Sequence, residues 1–186
     1  AAEEPGVLAY FDHVVAALEG RTPLILYHFP AVSGVPLGFT LIRDLITRHG
    51  PAIAGIKDSG GPVSHTRELL EAFPELAVFP GEESDIPALA DAGIAGTICG
   101  LANIAPGLIQ RLFTEPKAVD GLAGLNDIVE SGPFVPTMRA MIALVTGADA
   151  WATPMLPRWP RDRAALADQV KALDARLRAD WGTGLV

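Results

Sequence analysis

Leu8, Phe11, Val14, Val15 and Leu18 recur at helical spacing and stop at Glu19-Gly20, which predicts an amphipathic helix closed by a glycine. The apolar run Pro23-Leu24-Ile25-Leu26-Tyr27 that follows is too short for a buried helix and reads as a strand covered on both faces. The rhythm repeats. Leu41, Ile42, Leu45 and Ile46 mark a helix ending at Gly50-Pro51, before a strand Ile53-Ala54-Gly55-Ile56-Lys57. Leu69, Leu70 and Phe73 mark another ahead of Pro74, before Leu76-Ala77-Val78-Phe79. Ile86, Leu89 and Ala90 form a short helix closed by Gly93, before Gly96-Thr97-Ile98-Cys99. Strands alternating with helices predict a parallel sheet with right-handed crossovers.

After Asn103 the strands stop, and helices alone are predicted, over Leu108 to Phe113, Leu122 to Val129, Val135 to Val145, and Leu166 to Trp181. Pro154, Pro157 and Pro160 bracket a stiff linker before the last of these, with Asp162 as its cap. Trp151, Trp159 and Trp181 are suited to packing these helices.

Charge narrows the function classes. Among 186 residues, 14 Lys and Arg stand against 22 Asp and Glu, and the net charge of −8 disfavours nucleic acid and anionic membrane as partners. No apolar run approaches the ~20 residues that span a bilayer, and the first residues lack a signal pattern, so the expectation is a cytoplasmic protein. A single cysteine, Cys99, cannot form an internal disulfide, and on its apolar strand it reads as a small core residue. His13, His28, His49 and His65 fall on different elements without ligand spacing, so no metal is expected.

Every predicted strand runs into chemically loaded residues: Tyr27-His28-Phe29-Pro30, Lys57-Asp58-Ser59-Gly60, Phe79-Pro80-Gly81-Glu82 and Cys99-Gly100-Leu101-Ala102-Asn103. Functional groups at the carboxyl ends of successive parallel strands belong to a barrel mouth or to a doubly wound switch point. Lys57, at the end of an otherwise apolar strand, would place its amine in a poorly hydrated pocket, where loss of hydration disfavours the ammonium and frees the lone pair for attack on a carbonyl carbon. Snorkelling to water, or pairing with Asp58, is the alternative that spacing leaves open. Tyr27 ends the preceding strand in the same way, so its phenol and the Lys57 amine would converge and could relay a proton. A phenol simply hydrogen-bonded at a sheet end is the alternative there. The backbone amides of Asp58-Ser59-Gly60-Gly61 would also suit an anion.

Three segments in order, Tyr27-His28-Phe29-Pro30-Ala31-Val32-Ser33-Gly34, Gly55-Ile56-Lys57-Asp58-Ser59-Gly60-Gly61 and Gly96-Thr97-Ile98-Cys99-Gly100-Leu101-Ala102-Asn103, resemble the dihydrodipicolinate synthase and N-acetylneuraminate lyase family of pyruvate-dependent class I aldolases. The resemblance implies a (β/α)8 TIM barrel, of which residues 1–104 would be the C-terminal half, about four βα units, and residues 105–186 the last barrel helix and a C-terminal helical region. It implies Lys57 as the Schiff-base lysine, Tyr27 as the proton relay, Gly81 in the loop facing the substrate tail and Ile98 on the floor near the imine. No cofactor beyond the covalent imine on Lys57 is implied, and a homotetramer is.

Departures from the family pattern refine this. His28 stands where asparagine is usual, and Val32 where dihydrodipicolinate synthases carry an arginine for a second carboxylate, a charge-assisted bond valine cannot make. The stretch Pro30 to Gly34 looks more like the 2-keto-3-deoxy sugar-acid aldolases. Glu82, Glu83 and Ser84 follow Gly81 where relatives hold substrate hydroxyls, or serve only as a solvated helix start. The family's Gly-Thr-Thr-Gly-Glu loop has no counterpart, so the expectation is the C-terminal portion of a longer enzyme. The resulting expectation is a carbon–carbon lyase that cleaves or condenses a 2-keto-3-deoxy sugar acid, with pyruvate and an aldehyde or 2-keto acid as partners. A dehydratase using the same imine, a dihydrodipicolinate synthase-like condensation and a non-catalytic truncated member are the alternatives.

Overall fold

The computed structural model describes residues 3–153 and 155–186, so Pro154 of the expected linker lies outside the described residues. The chain divides into two compact units, one ending at Cys99 and the other Gly100–Val186, a break earlier than the expected boundary at 104.

The first unit begins with α1 (Glu4–Leu18), which carries Pro5 in its first turn, where no amide hydrogen is needed, and ends on Glu19 at a left-handed φ of 51°. It leads to β1 (Leu24–His28), the one-turn α2 (Pro30–Ser33), and α3 (Phe39–His49), whose Arg48 and His49 sit favourably at the negative helix end. Then follow β2 (Ile53–Asp58), α4 (Val63–Ala72), β3 (Ala77–Pro80) and the short α5 (Ile86–Leu89).

The three strands form a parallel sheet in the order β1-β2-β3. Leu26, Ile56 and Val78 stand in one register row on the buried face. Helices cover that face with Leu41, Ile42 and Leu45 of α3 and Leu69 of α4, while Val7 and Leu8 of α1 join the same core. Each such aliphatic side chain contributes about 1.5–3 kcal/mol when fully buried. The alternate positions Tyr27, Lys57 and Phe79 form the neighbouring row and point to the opposite face, as the period of two in a strand requires.

Two expectations are corrected here. The strand at 24–27 is covered on one face only, because Ile25 and Tyr27 are exposed while Leu26 and His28 are buried. The segment Gly96–Cys99 is not a strand. It approaches β3 through Ala95 N–H to the Val78 carbonyl (3.0 Å), Thr97 Oγ1 to the Pro80 carbonyl (2.8 Å) and Ile98 N–H to the same carbonyl (3.4 Å), but Gly96 at φ 155° interrupts the ladder. Cys99 is therefore half-buried in irregular chain rather than on a buried strand.

The second unit holds α6 (Pro106–Arg111), α7 (Leu122–Glu130), α8 (Phe134–Thr146) and α9 (Ala164–Trp181). Leu108, Leu112, Leu125 and Met141 are fully buried, and α9 adds Leu173 and Leu177. Asp162 Oδ1 accepts the Ala164 N–H at 2.9 Å, satisfying an amide at the start of α9. The chain end is pinned by Leu185 N–H donating to Asp174 Oδ1 (2.7 Å) and Val186 N–H to the Ile104 carbonyl (2.8 Å). No single helix among the described residues is long and apolar enough to cross a membrane.

Candidate active site

Adjacent parallel strands place Tyr27 of β1 opposite Lys57 of β2 in register, at the carboxyl ends of both. Lys57 Nζ donates to Tyr27 Oη at 3.0 Å and lies 4.2 Å from the centroid of the same ring. The phenol accepts in that bond, so its own hydrogen remains to be given elsewhere. Lys57 is half-buried and Tyr27 is 50% exposed, so the pair stands at an open face with its stems on the sheet. The ring of Phe29 lies 5.7 Å from that of Tyr27 and flanks it.

Gly81 closes one side. Its N–H donates to the Asp58 carbonyl at 2.8 Å, and a β carbon built on it would meet Ser59 Oγ at 2.0 Å and Lys57 Cε at 3.1 Å. Only a residue without a side chain allows this approach to the lysine stem. Glu82 follows directly, and Ile98, 40% exposed, reaches the adjacent Pro80 carbonyl through its backbone. Val32 is 75% exposed on α2, and none of the contacts among the described residues joins its side chain to Lys57 or Tyr27.

One residue further along each strand, on the opposite face, lies a second polar assembly. His28 is 5% exposed and Asp58 4%. Asp58 Oδ2 takes hydrogen bonds from His65 Nδ1 (2.9 Å) and Thr66 Oγ1 (2.8 Å) on α4, and Oδ1 takes the Gly60 N–H (3.1 Å). The Leu37 N–H donates to His28 Nδ1 at 3.0 Å, and the His28 and His65 rings stack with centroids 5.0 Å apart. A β carbon at Gly60 would strike the His28 ring at 2.1 Å, which keeps position 60 bare. Burial, the largest effect, holds the His28 pKa below its usual value against the raising influence of Asp58, and His65 adds to the lowering.

Donor atoms of His28, Asp58 and His65 lie within 4.8 Å of one another, close enough to surround a cation. The hydrogen bonds oppose such a use. A backbone amide can only donate, so the neutral His28 ring carries its proton on Nε2, and its lone pair on Nδ1 is already taken. Both Asp58 oxygens are likewise committed.

Sequence spacing separated His28 from His65 and gave no sign of this assembly. The usable signal was strand alternation, since His28 and Asp58 follow Tyr27 and Lys57 and must therefore face the helices.

A model of the dihydrodipicolinate synthetase family matches residues 1–130. The chain belongs to this family. It is 31% identical over 173 residues to a DapA-like lyase of Chloroflexus aurantiacus, a match covering 88% of this chain and 58% of that protein. It is also 31% identical over 117 residues to the 4-hydroxy-tetrahydrodipicolinate synthase of Chlamydia trachomatis, covering 62% of this chain and 38% of that one. Among solved structures, dihydrodipicolinate synthase from Agrobacterium tumefaciens superposes with a TM-score of 0.78 at 26% identity, covering 92% of this chain and 61% of that chain. A variant of the Sulfolobus solfataricus 2-keto-3-deoxygluconate aldolase, in complex with L-2-keto,3-deoxy-galactonate, is similar in fold, with a TM-score of 0.79 at 20% identity over 96% of this chain and 62% of that one. Family members of this kind are TIM-barrel lyases and aldolases, and the present chain, with its three-stranded parallel sheet, spans 58% of the Chloroflexus relative and 61% of the Agrobacterium structure.

Proposed function

We propose that this chain carries the reactive centre of a Schiff-base lyase that cleaves or condenses a 2-keto-3-deoxy sugar acid, with pyruvate as the keto-acid fragment. The observation that carries this reading is the 3.0 Å contact between Lys57 Nζ and Tyr27 Oη at the carboxyl ends of neighbouring parallel strands. An amine and a phenol at this distance supply the nucleophile and the proton relay that imine chemistry needs.

In cleavage, the neutral Lys57 amine adds to C2 of the keto acid, and loss of the former carbonyl oxygen as water leaves a protonated imine. That cation withdraws electrons, so the C3–C4 bond breaks with its pair held as an enamine. The C4 hydroxyl gives up its proton through Tyr27 as the aldehyde departs. The enamine then takes a proton at C3, and water hydrolyses the imine to release pyruvate and restore the amine. Condensation is the reverse sequence. Gly81 leaves room beside the lysine stem, Ile98 would line the apolar side, and the Glu82 carboxylate would accept hydrogen bonds from a polyol tail. Val32 leaves no cation at its position for a second carboxylate, which favours a sugar-acid tail over a diacid.

Product analysis tests the reading. Intact protein incubated with 2-keto-3-deoxy sugar acids is expected to release pyruvate and an aldehyde in equal amounts. Loss of water without pyruvate would instead identify a dehydratase acting through the same lysine, and no conversion with any of these acids or with diacid-forming aldehydes would overturn the assignment.

A further inference from the structure

We propose that His28, Asp58, His65 and Thr66 form a buried positioning network that fixes how Tyr27 and Lys57 are presented, and that the network holds only while the His28 ring is neutral. The reaction it would serve is the imine chemistry proposed above, and the inference rests on that reading for its catalytic consequence.

The connectivity carries the argument. Tyr27 and His28 share a peptide plane, as do Lys57 and Asp58, so a tilt of either strand end that moves the buried partner also moves the reactive one. Two backbone neighbours at this strand end are tied to the network residues. Gly81 is held by the Asp58 carbonyl at 2.8 Å, and the Ser59 N–H donates to the His28 carbonyl at 2.9 Å. Asp58 also ties the strand end to the first turn of α4 through His65 and Thr66, and His28 ties it to the segment after α2 through Leu37. Two strands, one helix and two loops thus meet at a pair of buried side chains, a support of the kind that holds reacting groups to within tenths of an ångström.

The dependence on charge follows from the same bonds. Protonation of His28 makes both ring nitrogens donors, and Nδ1–H would then face the Leu37 N–H with no acceptor between them. The titratable groups that act on His28 are Asp58 from β2 and His65 from α4, and the Asp58 charge in turn acts on Asp85, before α5. Phe39 of α3 meets the His65 ring edge-on and adds no charge.

The experiment compares intact wild type with His28→Asn and His28→Leu. The Oδ1 atom of asparagine can take the place of Nδ1 as acceptor but does not titrate, whereas leucine offers no acceptor. Turnover is measured from pH 5 to 8 with the sugar acid, and exchange of the Leu37 amide over the same range by mass spectrometry. His28→Leu is expected to lower kcat about 10- to 100-fold with a smaller change in KM, because a misplaced pair is slow rather than unable to bind. His28→Asn is expected to rescue most of that loss at neutral pH and to flatten the acid limb of the profile. The Leu37 amide should lose protection with acid in wild type, stay protected in His28→Asn, and be unprotected at every pH in His28→Leu. An acid limb unchanged in His28→Asn, or Leu37 exchange indifferent to residue 28, would overturn the proposal. If no sugar acid is turned over, the aldolase reading fails while the Leu37 exchange still decides whether His28 governs this strand end, and its indifference would defeat the network on its own.

Discussion

Gly81 lies against Lys57 so closely that a β carbon at position 81 would stand 3.1 Å from Lys57 Cε and 2.0 Å from Ser59 Oγ. The Lys57 stem and the Ser59 side chain thus both border the bare face of Gly81. Gly81→Ala forces one of these neighbours to move, and overpacking of this sort costs about 1–3 kcal/mol. The expected result is imine formation slowed about ten-fold, which is about 1.4 kcal/mol of distortion at the strand ends expressed in the barrier. Adding Ser59→Ala removes the nearer atom and should recover part of the rate in a double-mutant cycle; strict additivity of the two changes would contradict the packing described.

Tyr27→Phe keeps the ring beside Lys57 but removes the oxygen that accepts from Nζ. Positioned proton transfer contributes about 10²- to 10⁴-fold. Turnover should fall within that range, while single-turnover trapping at Lys57 is slowed but still detectable. An unchanged kcat would remove the phenol from the proposed relay.

Asp58→Asn is a test of the buried face. The carboxylate accepts from His65, Thr66 and Gly60, and an amide cannot accept at both positions. Hydrogen bonds to a buried charged group are worth about 1.5–3 kcal/mol each, so chemical denaturation should show a loss of about that size or more. A variant as stable as wild type would mean that the network is not stressed by losing its central acceptor.

Acid stability separates two groups with opposite signs. His28 has a folded pKa below its usual value, so unfolding takes up a proton first as pH falls. The stability that neutral His28 contributes is complete above the usual histidine value near 6.5 and declines as pH drops toward the lower folded value. Asp85 behaves oppositely: burial first, and then the Asp58 charge, hold its carboxyl above the usual range. Its contribution is favourable in acid and is lost as pH rises through the folded value. Asp85→Asn should therefore stabilise the protein at pH 7, with the gain shrinking in acid, whereas His28→Asn should remove part of the decline between pH 7 and 5. Denaturant midpoints measured across that range check both signs.

Hydrophobic spacing was sufficient to read α1, α3, α7, α8 and α9, because each has an apolar stripe that must be buried and a glycine or proline near its limits. The ends of β1 and β2 were legible for the same reason, and with them the Tyr27 and Lys57 positions. What spacing could not give was pairing. Thr97 and Ile98 have strand-like character, yet a strand needs a ladder, and only isolated bonds to Val78 and Pro80 form around Gly96. His28 and His65 meet because α4 packs across the ends of β1 and β2, a tertiary contact with no trace in their separation along the chain. The polar character of the buried row at 28 and 58 was visible in sequence, but its partners were not.

The central claim is that the Lys57 amine, beside the Tyr27 phenol, bonds covalently to a 2-keto acid. Intact protein treated with pyruvate and sodium borohydride, then digested and weighed peptide by peptide, tests it most directly. The account predicts one reduced pyruvate adduct on the Lys57 peptide, absent from Lys57→Arg. Folded, intact protein that acquires no adduct, or acquires it on Lys117 or Lys171 instead, would contradict it.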